Sequence, residues 1–129
     1  MRIPFLAANW KMHKTVHEAV VFVKEFRSLV KDMEDVEIVV APPFTALHAV
    51  AEAARNSNVG VAGQNLYWER QGAFTGEVSG EMVREAGAEY VIIGHSERRA
   101  LFGETDDTVN RRTRAALGAG LVPIAQTGS

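Results

Sequence analysis

The run YVIIG ends at Gly94 and delivers His95, Ser96, Glu97, Arg98 and Arg99 in succession. A second polar group, Asn9-Trp10-Lys11, follows the short apolar run FLAA at residues 5–8. These residue types suggest definite chemistry. A histidine at the start of a helix feels the positive end of the helix dipole, which disfavours imidazolium. Such a ring stays neutral and offers an N–H that can polarise a carbonyl. A lysine two residues past a strand is a compact cation suited to a phosphate or an enolate oxygen. Asn9 can fix a substrate oxygen. Each residue also has a plainer reading: a solvated histidine in a turn capped by Ser96, a surface lysine, an asparagine closing a turn. Glu97, Arg98 and Arg99 suit a salt-bridged support layer. His95-Ser96 is no sign of a serine hydrolase, because the sequence contains no G-x-S-x-G elbow.

The elements that must position these groups can be read from the pattern. Apolar, largely β-branched runs lie at residues 5–8, 36–41, 59–62, 90–93 and 121–125. They do not alternate cleanly with polar residues, as expected of parallel strands covered on both faces. Helical patterns lie between them. Thr15 and Glu18 form a capping box ahead of Val16, Val20, Val23, Phe26 and Val30, which share one helical face. Residues 44–54 are Ala-rich with Leu47, Val50 and Ala51 at helical spacing. Ser79 can cap a short helix stopped by Gly87, and Thr105 or Asp106 a longer one ending near Gly118 and Gly120. Residues 64–78 form the one long polar loop. The strands recur about every 29 residues, the size of a βα unit. Two architectures accommodate this order: a five-stranded doubly wound sheet, or an incomplete (β/α)8 barrel comprising the first four βα units plus a fifth strand. In both, ligands bind beyond the carboxyl ends of the strands, where Asn9, Lys11, Gln64, Asn65, His95 and Glu97 fall.

The 129 residues suit a single α/β domain, 1–129. A net charge of −2 gives no reason to expect nucleic acid or an anionic membrane as partner. With no cysteine there are no disulfides or thiolate metal sites. His13, His17 and His48 have no ligand at metal-site spacing, so no metal is expected. Neither a dinucleotide nor a P-loop glycine pattern occurs. No apolar run approaches the ~20 residues of a membrane span, and the first residues do not read as a signal peptide, so a cytoplasmic protein is expected.

Taken together, six blocks resemble the triosephosphate isomerase family: Asn9-Trp10-Lys11-Met12; Ala41-Pro42-Pro43; Gly63-Gln64-Asn65; Gly72-Ala73-Phe74-Thr75-Gly76-Glu77-Val78-Ser79; Gly94-His95-Ser96-Glu97-Arg98-Arg99; and Phe102-Gly103-Glu104-Thr105. They stand in the family's order over residues 3 to about 124 and correspond to its first half. The resemblance implies cofactor-free interconversion of dihydroxyacetone phosphate and glyceraldehyde 3-phosphate through an enediolate. It implies that Asn9 and Lys11 contact substrate, with Lys11 as electrostatic clamp, and that His95 is the neutral electrophile, supported by Ser96 and Glu97. It implies a homodimer in which the loop carrying Gln64, Asn65, Thr75 and Glu77 enters the partner, with Glu77 pairing with Arg98.

The resemblance also marks departures. The family's base is a glutamate ending a sixth strand, and its phosphate grip lies in later loops; neither falls within these residues. Past Ile124, Gln126, Thr127 and Ser129 replace apolar, thiol and acidic positions, so the tail is either altered or foreign. The expectation is therefore an isomerase fragment inactive by itself. The alternative is a half-barrel module that self-assembles or complements another chain without catalysis, since open strand edges invite pairing.

Overall fold

A computed structural model describes residues 4–125; the readings of Gln126, Thr127 and Ser129 lie outside the described residues. The elements are β1 (Phe5–Asn9), α1 (Val16–Val30), β2 (Glu37–Ala41), α2 (Phe44–Ala53), β3 (Val59–Gly63), α3 (Gly80–Glu85), β4 (Tyr90–Ile93), α4 (Ser96–Leu101), α5 (Asp106–Gly118) and β5 (Val122–Ala125).

All five strands run parallel in the order β1-β2-β3-β4-β5, each beside its predecessor in sequence. A doubly wound sheet would place β1 inside with neighbours on both sides. Here β1 pairs with β2 alone among the described residues, with Phe5 opposite Glu37 and Asn9 opposite Ala41. Of the two architectures the incomplete barrel is therefore the one adopted, a curled half of it.

The apolar runs are continuous because each central strand has two buried faces. Ile38, Val40, Val59, Val61, Val91 and Ile93 belong to the larger core with Val23, Leu47, Val50, Val83 and Ala116 of the helices. Val39, Ala41, Ala62 and Ile92 form a second cluster on the inner face, packed against Tyr90 and Ile124. Gly60 keeps that inner face passable: a Cβ there would lie 3.1 Å from the Tyr90 ring. The ring crosses β3 at this point, and its hydroxyl donates to the Glu37 carboxylate on β2. Burial first, then the Glu37 carboxylate, pushes the Tyr90 phenol up to about 12.

The helix ends follow their sequence signals. Thr15 accepts from the Glu18 N–H while Glu18 reaches back to the Thr15 N–H at 2.9 Å. Ser79 caps α3 and Thr105 caps α5. On α1 the buried stripe runs through Ala19, Val23 and Val30, with Phe26 partly covered; Val16, in the first turn, is left exposed. The small Ala19 side chain lets the helix approach closely, which shifts the stripe from the expected one. The loop after β3 is more structured at its base than its polarity suggests. Leu66 is fully buried, and the Tyr67 N–H donates to the Val78 carbonyl at 2.7 Å, closing the loop's two ends together. Residues 69–76 remain exposed beyond that closure.

Candidate active site at the strand ends

The carboxyl ends of β1, β3 and β4 open onto a cavity of about 760 Å3, lined by Asn9, Lys11, Gln64, Ile92, His95 and Glu97 among others. A smaller hollow of about 330 Å3 beside Tyr67, Trp68 and Ala115 holds none of these groups.

On the β1 side the chain makes a strained turn. Lys11 has φ 55°, a left-handed conformation that costs a non-glycine residue about 1–2 kcal/mol. Three hydrogen bonds surround that turn. The Asn9 Oδ1 accepts the Lys11 N–H at 2.9 Å. The Gln64 Nε2 donates to the Lys11 carbonyl at 2.8 Å and to the Ala41 carbonyl at 2.9 Å. The Lys11 Nζ then lies 3.0 Å from the Glu97 Oε2. That hydrogen bond from the ammonium holds the Glu97 carboxyl below the usual carboxylate range.

On the β4 side Gly94 turns the backbone at φ 71°, close under Val109 of α5. His95 follows and is itself the N-cap of α4: its Nδ1 accepts the Glu97 N–H at 3.1 Å. This corrects the expectation that Ser96 caps the segment. Ser96 is the first helical residue, and the imidazole, with a ring nitrogen two bonds beyond Cβ, reaches the Glu97 N–H from the position before it. An Nδ1 that accepts cannot carry the ring proton, so the proton sits on Nε2. The His95 side chain is 13% exposed. The geometry thus assembles a fixed Nε2–H donor, an ammonium and a side-chain amide around one cavity.

The remaining anticipated residues are less concentrated. Glu77 reaches the cavity edge, whereas Thr75 sits in the exposed loop outside its lining. The Glu77–Arg98 pairing is not made within this chain. Arg98 instead pairs with Glu104, a nearly buried carboxylate that also has the Arg112 Nε 3.7 Å away. Arg112, itself buried, donates to the Asn65 Oδ1 at 2.8 Å and to the Leu66 carbonyl. Glu104 and Arg112 therefore tie the helix behind His95 to the base of the loop, a link the motif reading missed. A signal was present: Arg112 falls between Val109 and Ala116 at helical spacing, on the face α5 buries.

Comparison with known proteins agrees with this arrangement. The triosephosphate isomerase family model matches residues 4–128. The chain belongs to that family. It is 56% identical over 128 residues to a triosephosphate isomerase of Pelobacter propionicus, covering 99% of this chain and 51% of that protein. It is 57% identical over 122 residues to one of Acetivibrio thermocellus, covering 95% and 48%. The crystal structure of triosephosphate isomerase from Bartonella henselae superposes with a TM-score of 0.93 at 35% identity, covering 99% of this chain and 53% of that one. The chain spans about half the length of the curated relatives it matches. No helix among the described residues is long and apolar enough to cross a membrane.

Proposed function

We propose that this chain carries the amino-terminal half of a triosephosphate isomerase active site. The reaction is interconversion of dihydroxyacetone phosphate and glyceraldehyde 3-phosphate, a step shared by glycolysis and gluconeogenesis in the cytoplasm. The observation that carries the proposal is the His95 ring, whose Nδ1 is occupied by the Glu97 N–H and whose Nε2–H has no partner among the described residues, in one cavity with Lys11. When a base removes a proton from the substrate carbon, negative charge develops on the neighbouring oxygen. The Nε2–H would donate to that oxygen and pass protons between the two oxygens of the enediolate. The Lys11 ammonium, with the Asn9 amide beside it, would lower the energy of the anion.

The family's base is a glutamate ending a sixth strand, which the described residues do not include; of the cavity's own carboxylates, Glu77 lies at its edge. Glu97 is committed to Lys11. A general base alone contributes roughly 10²–10⁴-fold, so the 129 residues by themselves are expected to be close to inactive. A homodimer is supported by the exposed loop around Thr75 and by the apolar cavity rim, where Met12, Leu101 and Phe102 are 92%, 74% and 63% exposed. A second copy's loop would cover that rim.

The test is to mix the chain with a separately produced carboxyl-terminal half of the P. propionicus relative and assay isomerisation. Activity only in the mixture, abolished by His95→Ala, is expected. A mixture that forms a complex by gel filtration and remains silent would overturn the proposal and favour the non-catalytic module.

A further inference from the structure

We infer that Gln64 is a positioning residue that holds Lys11 in its left-handed turn and thereby aims the ammonium into the cavity. For its kinetic consequence the inference rests on the isomerase reading above; the structural part stands alone. Gln64 follows β3, yet its side chain crosses the end of β2 to reach β1. Its single Nε2 uses both hydrogens, one on the Lys11 carbonyl at 2.8 Å and one on the Ala41 carbonyl at 2.9 Å. Both neighbours are acceptors, which fixes the orientation of the amide. The Ala41 carbonyl also accepts the Trp10 N–H at 3.0 Å, so the clamp reaches both residues of the turn.

The other restraints on Lys11 are weaker candidates. Its ion pair with Glu97 joins side chains that are 52% and 43% exposed, a setting in which ion pairs hold geometry poorly. The Asn9 bond closes a turn only two residues long and lies on the outermost strand. Lys11 is not glycine, so its φ of 55° persists only where surrounding contacts impose it. Gln64 is anchored on β3, a strand with neighbours on both sides, and its side chain ties the backbone of the turn to the end of β2.

The experiment uses the 129-residue chain with 15N labelling and the variant Gln64→Met, which keeps the length and removes both donors. The parent should show the strong intraresidue amide–Hα cross-peak of a left-handed residue at Lys11. The variant should lose it while β3 and β4 amides keep their shifts. If Gln64→Met does not fold, Gln64→Asn retains an amide that is one methylene too short to span both carbonyls, and the same loss is expected. Persistence of the left-handed signature in a folded variant would overturn the inference. In the complex with the carboxyl-terminal half, Gln64→Met should lower kcat/KM at least tenfold, with kcat falling as well as KM rising, because Lys11 both contacts substrate and stabilises the anion. An unchanged kcat/KM would overturn the role in aiming Lys11. A parent complex without activity would instead count against the isomerase reading and leave the cross-peak as the judge of Gln64.

Discussion

The two halves of the candidate site rest on unequal supports. His95 follows β4, where Val91, Ile92 and Ile93 are all buried and strands lie on both sides. Asn9 and Lys11 follow β1, which among the described residues has no strand on its outer edge and whose Phe5 and Leu6 are 41% and 59% exposed. His95 is therefore built on an interior completed within these residues, while Lys11 is built on an edge. What keeps the edge in register at its functional end is hydrogen bonding toward the centre, through the β1–β2 ladder and Gln64. A partner that completes the sheet beyond β1 should consequently matter more to Lys11 than to His95.

The comparison can be broken at its centre first. Glu104→Gln removes the charge that serves Arg98 and Arg112 at a nearly buried position, and loss of one member of such a cluster costs roughly 3–5 kcal/mol. Urea unfolding should show a loss of that order, accompanied by exposure of Trp68, which lies under the Arg112 guanidinium. Ile92→Ala, in the inner cluster, should cost about 2–5 kcal/mol in the same assay. A smaller effect comes from Tyr90, which joins β4 to β2. The unfolded phenol ionises near its usual 10 and the folded one at about 12. Its contribution to stability is whole below the lower value and is lost as pH rises through the upper one. The Tyr90 phenol should titrate late by absorbance, and Tyr90→Phe should abolish that late step. Least affected should be the edge: Leu6→Ala is expected to change stability by no more than about 0.5 kcal/mol. A loss as large as that of Ile92→Ala would mean that Leu6 is covered in solution.

Much of this organisation was legible in the sequence, for identifiable reasons. The central strands announced themselves because two buried faces leave no polar alternation, and the edge strand β1 was legible from the short apolar run at residues 5–8. Thr15, Ser79 and Thr105 were readable as caps because a short oxygen side chain before a helical pattern has one ready use. His95 was not readable as a cap, since imidazoles seldom serve there and Ser96 stood next to it. The resemblance singled out Lys11 and Glu97, and the structure pairs them at 3.0 Å. Gln64 was placed with the loop; its reach to Lys11 depends on the relative heights of β1, β2 and β3, which residue types do not encode. Glu104 stood within a motif, but its pairing with Arg112 escaped notice for a related reason: charged residues default to solvent, and only the helical phase of Arg112 placed it inside.

Hydrogen exchange of the isolated 129-residue chain, resolved by amide, tests the unequal-support account most directly. The account predicts that β4 amides at Val91–Ile93 exchange near the rate of global unfolding. Those of β1 at Leu6–Ala8 should exchange orders of magnitude faster. Equal protection of the two strands would contradict it, because β1 would then have a second neighbour and Lys11 would not stand on an open edge.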